Sequence, residues 1–151
     1  MKSESTRLKD FKNGEIPQDL YLSLCFESNQ PDVCISRIVQ VLELVFKHDP
    51  KSWPDDHYWR ESLPDWLLKT FRVYSKSELT SILATKSRWP DLDWTFGSWI
   101  DRMKNRCWRW WSLERQVNLT TLYLSVDGLP CSIKALEHLI VAAGGSSLTF
   151  R

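Results

Sequence analysis

Glycine is scarce in this 151-residue chain, with five in all, and none of them builds G-x-G-x-x-G, G-x-x-x-x-G-K-S/T or G-x-S-x-G. That excludes the motif routes to dinucleotide binding, to P-loop phosphate binding and to a serine nucleophile held on a strand-to-helix elbow. The run Gly144-Gly145-Ser146-Ser147 follows a helical pattern instead of preceding one. A helix dipole has the wrong sign for an anion there, so the run reads as a helix terminator.

Histidine is scarce as well. His48 ends a helical pattern and His138 lies beside an apolar stripe, leaving only His57, in Asp55-Asp56-His57-Tyr58, in a suggestive setting. Adjacent loop residues do not converge on one ion without ligands from elsewhere, and none can be named, so neither a metal nor any other cofactor is expected. The four cysteines, Cys25, Cys34, Cys107 and Cys131, form no C-x-x-C pair and no zinc spacing. In a reducing compartment they read as small buried hydrophobes. The chain is not expected to be an enzyme; a small enzyme using His57 and its aspartates is the third-ranked reading.

An excess of charge of one sign is also missing. Twenty Lys and Arg stand against 19 Asp and Glu, for a net charge of +1. The chain therefore shows neither the basic footprint of a dedicated nucleic-acid binder nor the acidic mask of a nucleic-acid mimic. No apolar run approaches the ~20 residues that span a bilayer, and Met1–Asp10 lacks the apolar core of a secretory signal. A cytoplasmic location follows, with no membrane partner and no small-molecule substrate.

What the chain has in abundance is tryptophan. Trp53, Trp59, Trp66, Trp89, Trp94, Trp99, Trp108, Trp110 and Trp111 make nine. An indole offers a large apolar surface and one N–H, which suits cores, stacking platforms and interfaces alike. Trp66 and Trp99 lie on helical core stripes, and Trp89 and Trp94 mark the start of a helix. Arg106, Trp108 and Trp110 would share one face of a strand, with Cys107, Arg109 and Trp111 on the other. At least one of those faces must pack on helices.

Residues 1–15 read as a flexible arm ending in the Asn13-Gly14 turn, with 1–151 forming one domain. A first helix is expected over 17–29. A second, capped at Asp32, carries Ile35, Ile38, Val39, Leu42, Val45 and Phe46 before Asp49-Pro50 stops it. A Pro- and Asp-rich loop covers 51–59. Three short helices follow, opened by Ser62, by the Ser75–Glu78 capping box and by Asp93; the last bears Phe96, Trp99, Ile100 and Met103. The period then changes to two, with strands over 106–113 and 119–126 joined by 114–118 as an antiparallel hairpin. A helix with Ile133, Leu136, Leu139, Ile140 and Ala143 and a short strand, Leu148–Phe150, complete the pattern. The fold class is α+β: a helical N-terminal two-thirds followed by a small antiparallel β-hairpin, a covering helix and a short final strand.

Ser62-Leu-Pro-Asp-Trp-Leu-Leu, Trp94-Thr-Phe-Gly-Ser-Trp-Ile, Arg106-Cys-Trp-Arg-Trp-Trp, Pro130-Cys-Ser-Ile and Ala142-Ala-Gly-Gly come in that order. Together this resembles the small tryptophan-rich immunity proteins of bacterial contact-dependent growth inhibition and polymorphic toxin systems. The resemblance implies a cytoplasmic inhibitor that binds the C-terminal toxin domain of a cognate secreted toxin by occlusion. It brings no shared binding motif, so the site must be read from the residues.

A rigid patch with aromatic anchors and a charged rim is needed. Trp53, Asp55, Asp56, His57, Tyr58 and Trp59 meet that description, although Trp53 and Trp59 equally suit pinning the loop to the helices. Glu114 and Arg115 in the hairpin link make a second candidate. The alternative function is a nucleic-acid-associated regulator stacking bases on the Arg/Trp strand, but nucleic acid is not the expected partner.

Overall fold

The computed structural model describes residues 3–9, 14–73, 75–84 and 94–150. Its strands are β1 (Tyr21–Glu27), β2 (Trp108–Gln116), β3 (Leu119–Val126) and β4 (Ser146–Phe150), in one antiparallel sheet of order β2-β3-β1-β4. The helices are α1 (Glu4–Lys9), α2 (Pro31–Phe46), α3 (Asp56–Ser62), α4 (Asp65–Leu68), α5 (Lys76–Ala84), α6 (Phe96–Lys104) and α7 (Lys134–Ala143). The class is α+β. The division into a helical part and a strand part is not where the sequence puts it.

The helix predicted over 17–29 is replaced by β1. Leu20, Leu22, Leu24 and Phe26 already stand at period two, and the buried Ser23 and Cys25 between them hide the alternation. Both flanks of β1 are paired, Tyr21 with Ser125 of β3 and Leu24 with Phe150 of β4. Between two paired neighbours even the small Ser23 and Cys25 on its outer face are buried, so the apolar pattern looks continuous.

Strand β2 starts later and runs further than expected, so Glu114–Gln116 belong to the strand and the turn is only Val117-Asn118. Val117 takes a φ of 51°, which crowds a β-branched side chain. The β2–β3 register shifts between Trp110 and Ser112. Trp111 therefore occupies a bulge, and the buried face passes from Trp108 and Trp110 to Leu113.

Helix α2 lays Ile35 and Ile38 on Phe26, Trp110, Leu113 and Leu122 of the sheet. Helix α7 packs beside it and also touches α4, α6 and β4. Trp99 of α6 is fully buried and donates its indole N–H to the Ala135 carbonyl of α7 at 2.9 Å. Burial of each such side chain stabilises by about 2–3 kcal/mol, and the satisfied N–H avoids the penalty of a lone buried donor. Gly144 ends α7 at a φ of 116°. At Gly145 an added Cβ would lie 2.5 Å from Ile140 Cγ2, so the chain can pass there only without a side chain.

Several local expectations shift by a few residues. Gln30, not Asp32, occupies the cap of α2, and Asp32 sits in its first turn. The expected 51–59 loop contains the start of α3, capped by Asp55. Ser62 closes α3 instead of opening a helix, and Pro64 precedes the single turn of α4. Ser75 does cap α5 by accepting from Glu78 N. For α6 the cap is Thr95, in a reciprocal capping box with Ser98; Trp89 and Asp93 lie outside the described residues.

Residues 1–15 are expected as an arm, yet residues 4–9 form a helix with Leu8 completely buried. Glu4 Oε2 accepts from Trp110 N at 2.9 Å, and Gly14 N donates to Leu113 O at 3.1 Å. These bonds occupy the outer edge of β2, which would otherwise present unpaired backbone groups. Glu4 Oε1 also pairs with Arg106 at 2.5 Å. The reading of all four cysteines as unbridged thiols holds for Cys25 and Cys34, which are buried and free, but not for the others. Cys107 and Cys131 are joined by a disulfide across 24 residues, at a Cα separation of 5.7 Å. Only the folded chain brings the start of β2 to the segment before α7, and connectivity of this kind is not deducible from spacing.

Removing the Glu4 carboxylate leaves Arg106 buried without its counter-charge. Glu4→Ala should therefore lower unfolding free energy by about 3 kcal/mol, read by urea denaturation; a loss below about 1 kcal/mol would show that Arg106 finds another partner. Cys131→Ser should cost about 2–4 kcal/mol, and the wild-type protein in reductant should melt with the variant. Equal melting with and without reductant would remove the bridge from the stability account.

Candidate functional site

The segment 53–59 is built on a cluster of four rings. Trp53 and Trp59 lie 4.9 Å apart, and His48 stands edge-on to both Tyr58 and Trp59 at 5.1 and 5.2 Å. His48 Nε2 shares a hydrogen bond with Tyr58 Oη at 2.9 Å. Edge-to-face rings of this kind gain about 1 kcal/mol per pair beyond their burial. Trp59 is fully buried and Trp53 half-buried against the core. Of the two roles open to these indoles, the packing matches pinning of the segment. A fully buried Trp59 cannot anchor a partner.

The carboxylates divide likewise. Asp55 Oδ1 accepts from Tyr58 N at 3.0 Å and caps α3. Asp56 is exposed in the first turn, where the helix dipole favours it. His57 turns to Glu61 at 3.2 Å, both largely exposed. Asp55 and His57 thus point to different partners, and the Asp-Asp-His run does not converge as a ligand set. Asp56, His57, part of Tyr58, Arg60 and Glu61 form the accessible charged face of α3, the last two being residues the sequence pattern does not mark.

Glu114 and Arg115 lie elsewhere. Glu114 accepts from Tyr123 Oη at 3.2 Å. Burial, and then the Glu114 charge, push the Tyr123 phenol above its usual range. Arg115 pairs with Asp32 at the start of α2 and donates from Nε to Val117 O at 3.3 Å. His48, by contrast, sits just past the other end of α2. A 16-residue helix, at 1.5 Å per residue, sets the two candidate patches roughly 24 Å apart. They are not one site.

The Arg/Trp strand presents no open indole. Trp108 and Trp110 are fully buried, and the Arg7 guanidinium lies 3.3 Å above the Trp111 ring. The stacking surface that a nucleic-acid reading needs is occupied by the protein itself.

One feature was not legible in the sequence. Lys47, His48, Lys104, Arg106 and Arg109 line a cleft of about 370 Å³ together with Glu4. These residues come from α1, the end of α2, the end of α6 and the start of β2. In the sequence only Arg106 and Arg109 stand out, as part of a strand pattern. Burial depresses the Arg106 pKa, the Glu4 charge opposing it, and the group stays cationic. His48 belongs to this cleft and to the ring cluster, so the cleft adjoins the buried base of α3.

No family model matches the chain, and no curated protein or solved structure matches it either. No helix among the described residues is long and apolar enough to cross a membrane.

The two neighbouring aspartates should separate cleanly on mutation. Asp55→Ala should cost about 1 kcal/mol through loss of the α3 cap, while Asp56→Ala should stay within about 0.5 kcal/mol of wild type. Chemical denaturation of both variants reads this, and equal losses would contradict the assignment of Asp55 as the cap.

Proposed function

We propose that the chain is an immunity protein, a non-enzymatic inhibitor that binds the toxin domain of a cognate secreted bacterial toxin and neutralises it by occlusion. The observation that carries this reading is the rigid presentation of α3. Its exposed Asp56, His57 and Glu61 stand on a base locked by Trp53, Trp59, Tyr58 and His48. A charged surface that is already ordered loses little entropy on association, so more of its contact energy appears as affinity. Acidic groups there complement the basic cleft of a toxin that handles nucleic acid or another anion, and they speed encounter. The resemblance to toxin-immunity proteins supplies the partner class.

This role places the protein in the cytoplasm, where its target would act. The Cys107–Cys131 bridge pulls the other way, because such bonds persist mainly in oxidising compartments. Its redox state in intact cells decides between the compartments.

Co-expression with the nearest toxin gene followed by affinity capture should yield a complex that survives purification. Asp56→Lys combined with Glu61→Lys should weaken it about tenfold or more. These two positions replace Asp55, whose substitution would confound binding with loss of the helix cap. Absence of any complex at micromolar concentration would sink the immunity reading, and unchanged affinity in the double variant would remove α3 from the interface.

A further inference from the structure

We propose that the cleft between the ends of α2 and α6 is a second contact site, which takes paired carboxylates from an acidic segment of the protein partner. This inference rests on the preceding reading that the chain binds a protein. It goes beyond it by assigning a site and a ligand chemistry of opposite sign to the α3 face.

The charge balance favours an anion. Lys47, Lys104, Arg106 and Arg109 line the cleft against Glu4 and Asp49, four full cations against two carboxylates. Neither carboxylate is spare. Glu4 lies 2.5 Å from Arg106 and 3.9 Å from Arg109 while accepting from Trp110 N. Asp49 Oδ1 accepts from Lys51 N at 2.8 Å.

The arginines are also held in advance. Arg109 Nη1 donates to the carbonyls of Arg106 at 3.3 Å and Trp108 at 3.0 Å, which fixes the plane of a half-exposed guanidinium. An oriented fork matches a carboxylate with little further ordering. Arg106 has a side chain only 10% exposed, bonded to Met103 O and Glu4. Its Nε is the one guanidinium nitrogen among the described residues that is buried without an acceptor.

The same features disfavour a nucleic-acid strand. Both α2 and α6 end here, and their negative C-terminal dipoles oppose any anion, carboxylate or phosphate, so the excess of cations can hold a short acidic segment but not a long run of phosphates. The ring at the cleft, Phe46, is covered by the Arg106 guanidinium at 4.8 Å, so it is closed to base stacking. An excess of two positive charges suits two carboxylates. A partner that touched both the cleft and the charged face of α3 would have to match two patches of opposite sign, a device for rejecting wrong partners.

A fluorescein-labelled tetra-aspartate peptide, followed by anisotropy at low salt, tests the site without the toxin. The wild type should bind it saturably, and added salt should weaken binding. Arg109→Glu and Lys104→Glu should each weaken it about tenfold or more, with circular dichroism confirming the fold of both, whereas Asp56→Lys should not weaken it. No saturable binding, identical binding by wild type and both cleft variants, or tighter binding of a labelled tetrathymidylate than of the peptide would overturn the inference. With the toxin in hand, a complex indifferent to both cleft variants would overturn the cleft and leave the immunity reading intact. Peptide binding without any toxin complex would do the reverse.

Discussion

One carboxylate, that of Glu4, holds together parts of the molecule that are distant in sequence. It accepts from the backbone of Trp110, neutralises the buried Arg106 and reaches toward Arg109. The first of these closes the outer edge of the sheet. The second makes it tolerable to bury a guanidinium over Phe46 and Trp108, since an unpaired cation there would be several kcal/mol uphill. The third sets one wall of the basic cleft. Edge protection, core formation and the candidate anion site therefore share a single group, and none can be altered through Glu4 without touching the others.

The tryptophan cluster is mainly a packing device. Trp59, Trp99, Trp108 and Trp110 are fully buried. Others are roofed by arginines: Arg7 lies over Trp111 and Arg37 over Trp66. Arg60 covers Phe96 in the same way, and Arg106 covers Phe46. Guanidinium over ring is a favourable contact and keeps apolar surface from water. It also takes cations out of circulation. Lys47 and Arg109, which are exposed, and the half-buried Lys104 stand together at the cleft, so a chain of near-zero net charge still acquires a local field.

The amphipathic helices α2, α6 and α7 and the strand β3 are legible from periodicity, because each buries one face and exposes the other. Strand β1 is not, since its outer-face residues Ser23 and Cys25 are small and also buried, which erases the contrast that a pattern needs. Helix α3 hides in a segment whose prolines and aspartates look like loop chemistry, although Asp55 is a good cap by type. Within the candidate site, the exposure of Asp56, His57 and part of Tyr58 fits what a polar segment suggests. The roles of Trp53 and Trp59 could be settled only by seeing what lies beneath them. Glu114 and Arg115 look near to nothing in particular along the chain, and α2 sets them a helix length from α3. The cleft was illegible for a simpler reason: Lys47 is far along the chain from Lys104, Arg106 and Arg109, and nothing in the sequence shows that the end of α2 meets the end of α6.

The strand order carries a consequence for how the protein comes into being. Strand β1 is made early, yet its two ladder partners, β3 and β4, are the last strands to be synthesised. While the ribosome works through the intervening helices, the apolar residues of β1 have no sheet to join, and contacts of such long reach form slowly. The nascent chain must keep Leu22, Leu24 and Phe26 from mispairing until residue 150 has emerged. A newly translated copy therefore cannot complete its sheet until synthesis has passed β4.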